Sequence, residues 1–264
     1  MKFYTICILF WLTITAFSSE VKEYLSLEVA GITDFFCECG AVRLEIEGYD
    51  GSTIEVSAVI SDKWMNEDEI KEEIGKKITL ILEKKGDKAV LESSVESRFL
   101  NNTLIDLTVK IPWNLKCDIR DGSGEIKISH INNDLYVKDG SGDLYLKNIK
   151  GFVKIKDGSG SIFIDYVQNG LNIDDGSGSI NVSNMEGDLK IEDGSGSIEI
   201  SEVKGTVKIE DGSGSIDVKN VSMDVIIDDG SGGIDANHIG GKLIIENEGS
   251  GSLNANYIQG GIVK

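Results

Sequence analysis

Seven aspartates, Asp121, Asp139, Asp157, Asp175, Asp193, Asp211 and Asp229, each open an Asp-Gly-Ser-Gly turn, and they follow one another at an unvarying step of 18 residues. A carboxylate among turn carbonyls is the hard oxygen donor that calcium takes, so a column of them reads as a possible cation ladder. The same turn has a metal-free reading, because an Asp side chain accepts hydrogen bonds from the amides of its own turn. If the turns stack about 4.8 Å apart, adjacent carboxylates repel by roughly 1 kcal/mol in water and roughly 3 to 4 at an effective dielectric of 20. One relief or the other is required. Calcium is the only cofactor the pattern admits, and otherwise none is expected.

Paired carboxylates also suggest glycoside hydrolysis, where an acid and a base must be made different by their surroundings. Seven equivalent aspartates in equivalent turns contain no such distinguished pair. His130 and His238 sit at the same position of the repeat but six repeats apart, about 29 Å in a stack, so they cannot share a site. The sequence shows no Ser/His/Asp set, no phosphate-cradling loop followed by a helix, and no metal-spaced His/Cys cluster. Cys37 and Cys39 alternate on one face of a predicted strand, with the wrong spacing for a redox or zinc pair. Cys117 falls where the repeats place Leu or Val and reads as a small buried hydrophobe. The chain is therefore read as non-enzymatic, with a calcium-binding solenoid as the alternative and a carbohydrate-active β-helix enzyme third.

Binding chemistry is carried by outward aromatics. Tyr145 and Phe163 occupy the same outward position in successive repeats, and Tyr136 and Phe152 face outward on the opposite sheet. Such ledges stack sugar rings or anchor a protein partner, or else shield the sheet as cross-strand pairs. A third outward column turns apolar late, at Ile226, Ile244 and Val263. With no sequence after Lys264 to cover that edge, homo-oligomerisation through the C-terminal end is an expectation.

The elements that position these residues follow from the repeat. Counting the Asp as position 1, positions 6 and 8 carry Ile126 and Ile128 in the first full coil, and positions 15 and 17 carry Leu135 and Val137. Position 11 is equally apolar, from Ile131 to Ile239. Each coil thus contributes two alternating strands, about positions 5 to 9 and 14 to 18. Asn or Gly at position 13, as in Asn133, Gly151 and Gly205, predicts a corner that needs positive φ. Met223 breaks that rule and predicts strain or a different turn. A flat antiparallel meander would leave its whole apolar face uncovered, whereas coiling lets the two faces cover each other. The prediction is an all-β parallel β-solenoid, or β-helix, with 18-residue coils. It lacks the apolar-Gly pair every six residues of hexapeptide helices and the two-sided G-G-x-G-x-D turns of calcium-binding rolls.

Residues 1–18 read as a signal peptide: Lys2, an apolar run too short to span a bilayer, and small residues at Ala16 and Ser18. The expected location is secreted, periplasmic or in the cell envelope, with no transmembrane span in the mature chain. Residues 19–102 form a β-rich capping segment, and 103–264 the regular solenoid. In the cap, Val42 to Ile46 and Thr53 to Val59 alternate around a turn at Gly48 to Gly51. Asn66 caps a short helix with Glu69 at its third position. Lys77 to Leu82 and Ala89 to Val95 make a hairpin. The net charge of −19, from 45 acids against 26 bases, excludes nucleic acid and anionic surfaces as partners. Protein or carbohydrate at a cell surface remains.

The coils Asp193-Gly-Ser-Gly-Ser-Ile-Glu-Ile and Asp211-Gly-Ser-Gly-Ser-Ile-Asp-Val, the entry Leu107-Thr108-Val109-Lys110-Ile111-Pro112 and the segment Val42 to Val56 resemble a bacterial adhesin-type family of β-strand repeats, a domain of unknown function. The resemblance covers about residues 30 to 264. It implies a right-handed parallel β-solenoid in the envelope or outside the cell, and it implies no catalytic residues.

Overall fold

The computed structural model describes residues 19–40, 42–96 and 102–264, so the predicted signal peptide lies outside the described residues. The described chain is all-β, a solenoid of two twelve-stranded sheets wound face to face, with one helix. From Lys116 onward every strand pairs in parallel with the strand one coil away, in register but for one shift near the C-terminal end: Leu144 lies between Ile126 and Ile162, and Ile155 between Val137 and Ile173.

The core is the stack of inward residues at positions 6, 8, 11, 15 and 17, all buried in the regular coils. Strict alternation would point position 10 inward. Instead, His130, Asn148, Tyr166, Asn184, Glu202, Asn220 and His238 all adopt φ between 56° and 70°. One left-handed residue inserted in each strand shifts the alternation by one, so position 11 faces the core after position 8. That backbone costs a non-glycine residue roughly 1–2 kcal/mol. The repeated burial of position 11 offsets it.

The Asp-Gly-Ser-Gly turns stack directly on one another. The position-4 glycine donates its N–H to the position-3 serine carbonyl of the next coil, as from Gly196 to Ser213 and Gly214 to Ser231, both 3.0 Å. A Cβ at Gly214 would lie 1.5 Å from the Gly196 carbonyl oxygen. The motif is therefore specified by the close approach of successive turns. The same holds at position 13, where the expected positive φ is absent. A Cβ at Gly151 would sit 2.1 Å from the Asn133 carbonyl, so glycine serves there to let two corners touch. Met223 fits without positive φ, half-exposed, and neither the expected strain nor a different turn is found: residues 221–225 follow the same course as 203–207, and the Met223 carbonyl accepts the Gly241 N–H of the next coil at 3.1 Å, as the Gly241 carbonyl accepts that of Gly260 at 2.8 Å. The degraded eighth turn is absorbed by a register shift after Ile227, which pairs Asp228 with Asn247.

The N-terminal segment is interleaved with the repeats. Its elements are β1 (Ser19–Glu28), β2 (Asp34–Cys39), β3 (Val42–Tyr49), β4 (Thr53–Asp62), α1 (Glu67–Glu73), β5 (Ile78–Lys85) and β6 (Lys88–Val95), followed by β7 (Thr103–Pro112), β8 (Lys116–Arg120) and β9 (Ile126–Ile131). β2 pairs with β8, and β3 pairs with β9, so residues 34–49 form the coil next to the regular stack. β6 and β7 lie one coil further out. Antiparallel β5 closes one sheet, and antiparallel β4 and β1 close the other. The turn at Gly48 to Gly51 therefore joins no hairpin, because β7 lies between β3 and β4. The β5–β6 hairpin forms with Gly86 at φ 69°, and α1 starts at a reciprocal cap in which Asn66 and Glu69 each bind the other's backbone.

Candidate functional site

The aspartate column is interior. Position 1 continues the alternation of positions 15 and 17, so Leu135, Val137 and Asp139 point the same way, and all seven aspartates are at most 8% exposed. One oxygen of Asp139, Asp175, Asp193, Asp211 and Asp229 accepts the N–H of the serine two residues on, at 3.0 to 3.3 Å. This is the Asx turn. The Oδ2 atom of each of these five has no hydrogen-bond partner among the described residues. Burial, then the neighbouring column carboxylates, push Asp139, Asp175 and Asp211 up to about 6. Burial pushes Asp121 up to about 8, and it raises Asp157, Asp193 and Asp229 as well. Partial protonation is thus a third relief of the repulsion, alongside hydrogen bonds and cations. Among the described residues no group of three or more His, Cys, Asp or Glu side chains could hold a metal ion.

Beside the column, Asp174, Glu192, Glu210 and Asp228, together with Asp175, Asp193 and Asp211 of the column itself, line a shallow acidic trough of about 400 Å³ along the turn glycines. Lys156 binds Asp174 at 2.8 Å, Lys208 binds Glu210 at 2.9 Å, and Lys190 binds Glu192. Three of the four outer carboxylates are already paired.

The aromatic ledges lie on opposite sheets, as their positions require. Tyr145 and Phe163 stack in register with ring centroids 4.9 Å apart and planes within 9°. Lys127 Nζ stands 5.3 Å from the Tyr145 ring centroid on the adjacent coil. Beyond Phe163 the same column carries Asn181 and then Glu199, in register, so the aromatic stack ends in a notch. Phe163, Asp165, Asn181, Ser183, Glu199 and Ser201 line a groove of about 430 Å³ there. A second groove of about 550 Å³ shares Asp165 and continues round the corner past Tyr166, Asn184, Glu202 and Asn220. On the other sheet, Phe152 is 40% exposed and covers Gly170, while Tyr136 pairs with Lys154. The structure brings Tyr145 and Phe163 together, and it keeps Tyr136 and Phe152 apart from them.

Ile226, Ile244 and Val263 also form one column, each in register with the next, with Val263 47% exposed. The histidines stay apart: His130 meets the Asn148 amide at 3.2 Å, and His238 stacks on Tyr257 at 4.5 Å. Cys37, Cys39 and Cys117 are buried free thiols, with the Cys37 and Cys39 sulfurs 3.1 Å apart. Sequence reasoning missed Tyr166, Asn181 and Asn184. The signal was available at position 10, where Asn148, Asn184 and Asn220 are of the type that tolerates left-handed backbone best.

The profile of the Toastrack DUF4097 family matches residues 37–238. No curated protein matches the chain. Among solved structures, a proposed cell adhesion protein from Clostridium sporogenes is 16% identical over 90% of this chain and 99% of its own, with a TM-score of 0.31. A proposed lipid-binding protein from Parabacteroides distasonis is 15% identical over 92% and 97%, with a TM-score of 0.39. A proposed adhesin from Parabacteroides merdae is 13% identical over 92% and 96%, with a TM-score of 0.44.

Proposed function

We propose that this chain, which belongs to the Toastrack DUF4097 family, is a non-catalytic binding protein of the cell surface or envelope, working through the outer face of the sheet that carries Tyr145 and Phe163. The observation that carries this reading is the stacked pair itself, which borders an open groove on a sheet whose neighbouring outward residues are polar. The coil needs nothing at that position: its fold is specified by the inward residues and by the turns. Two large rings side by side beside an open groove are instead what a binding surface requires. The inward aspartates supply no accessible acid and base pair, which supports a role without catalysis. Among the described residues no helix is long and apolar enough to cross a membrane.

The test is retention of the labelled intact chain on isolated bacterial envelopes and on whole cells. Retention is expected to fall in Tyr145→Ala/Phe163→Ala and to persist in Phe152→Ala. Equal retention by all three proteins would locate binding elsewhere and remove the proposal.

A further inference from the structure

Resting on that reading, we infer that the notch between Phe163 and Glu199 is a subsite for one pyranose ring of a neutral hexose oligosaccharide.

The first argument is shape. Phe163, Asn181 and Glu199 are successive members of one column, so Phe163 and Glu199 stand two coil steps apart, about 9.6 Å. Tyr145 occupies one face of the Phe163 ring. The other face looks along the column toward Asn181, whose side chain is too short to continue the stack. What remains is a slot with one flat aromatic wall, wide enough for a single saturated ring.

The second argument is the chemistry of the rest of the slot. The Asn181 side chain makes no hydrogen bond among the described residues, so an amide that can both donate and accept lies in the column next to the ring. Tyr145, Lys147, Asp165, Ser183, Ser201 and Glu199 supply the rest of its polar and aromatic lining, with Lys147 Nζ 3.8 Å from Asp165 Oδ2. Asp165 already takes the Asn184 amide at 2.7 Å, and Glu199 takes Lys219 at 2.9 Å. These bonds fix both carboxylates in place and leave further acceptor sites free, since an ionised carboxylate offers about four. One apolar plane ringed by fixed donors and acceptors matches a sugar, whose axial C–H face is apolar and whose edge is hydroxyl. An apolar peptide side chain would cover the ring but leave the Asn181 amide without a partner. Lys147 and Lys219 are already paired with the two lining carboxylates, so the slot offers no spare cation to a uronic or sulfated sugar, and the chain's net charge of −19 repels both; the ligand is neutral.

The third argument is continuity. Asp165 belongs also to the adjoining groove, where Tyr166 and the amides of Asn184 and Asn220 present the same mixture of ring and hydrogen-bonding groups. A chain of several sugars can therefore continue from the notch round the corner.

The experiment is calorimetric titration of the intact chain with cellohexaose, mannohexaose and chitohexaose at millimolar concentration. At least one should bind, and Phe163→Ala should weaken it by about tenfold or more, equivalent to about 1.4 kcal/mol. Because Phe163→Ala also removes a stacking partner, Asn181→Tyr is the decisive variant. It fills the notch and extends the stack, so it should keep or raise the thermal midpoint while abolishing binding; Phe152→Ala should bind as the parent does. Absence of binding by all three sugars, or unchanged affinity in Asn181→Tyr, overturns the inference. If the sugars fail while envelope retention still depends on Tyr145 and Phe163, the partner is a protein and the surface-binding reading survives alone. If both fail, both readings fall.

Discussion

Replacing Asp175 by asparagine is expected to stabilise the solenoid at pH 8 and to leave it nearly unchanged at pH 4. Asp175 is 4% exposed, and its Oδ1 accepts the Ser177 N–H at 3.3 Å while Oδ2 has no partner. Asp157 and Asp193 flank it in register on either side. Burial and then those two neighbours raise its carboxyl to about 6, against 3.8 when exposed. The folded state therefore holds the proton more tightly than the unfolded chain. The stability this contributes is fully present below pH 3.8 and is lost as pH rises through 6. The gap of about two pH units is worth at most about 3 kcal/mol, at 1.36 kcal/mol per unit.

Asparagine is close in shape to the protonated acid and carries no charge at any pH. Its oxygen can keep the Ser177 bond, and its amide can donate to a neighbouring carboxylate. Urea denaturation of the parent and Asp175→Asn at pH 4, 6 and 8 measures the difference directly, with equal m values required for the comparison. The expected gain rises from near zero at pH 4 to between about 1 and 3 kcal/mol at pH 8. A loss at pH 8, or a difference that does not change with pH, would refute the account of the column as a set of partly protonated, mutually repelling acids.

Three further outcomes are expected. Gly214→Ala would place a Cβ 1.5 Å from the Gly196 carbonyl at φ 154°, and should cost roughly 3 kcal/mol or more in chemical denaturation. Glu202→Asn relieves a left-handed backbone at φ 58° with a residue that tolerates it better, and should gain about 0.5 to 1 kcal/mol by the same measurement. Calcium should leave the thermal midpoint where EDTA leaves it, because the column carboxylates face the core; a midpoint that climbs with calcium, with magnesium much less effective, would instead make the turns a cation site.

The coil was legible because its apolar residues recur at fixed positions, and burial at 6, 8, 11, 15 and 17 follows the sequence pattern directly. The inward aspartate was equally legible, being two residues beyond position 17. Asp-Gly reads first as turn chemistry, and that reading conceals its parity. Glycine at position 13 misled for a related reason: positive φ and close backbone approach both demand glycine, and only the distance to Asn133 separates them. The interleaving of residues 34–49 had no local signal at all. Leu44 and Ile46 alternate as Leu107 and Val109 do, so by pattern alone either strand could meet Ile126 and Ile128, and it is Leu44 and Ile46 that do.

That ambiguity also bears on where function lies. In a repeat solenoid, close stacking already explains the two turn glycines and the left-handed position, and the recurring aspartate caps its own turn at a cost in repulsion between coils. The strongest motif in the sequence is thereby accounted for by architecture. Residues that interrupt their column carry the opposite information. Phe163 lies between Tyr145 and Asn181, and Tyr166 stands in a column otherwise occupied chiefly by Asn and His. No coil needs these side chains to form. Their clustering within two adjacent coils, beside grooves that share Asp165, therefore calls for an explanation outside the fold, and a ligand held there supplies one.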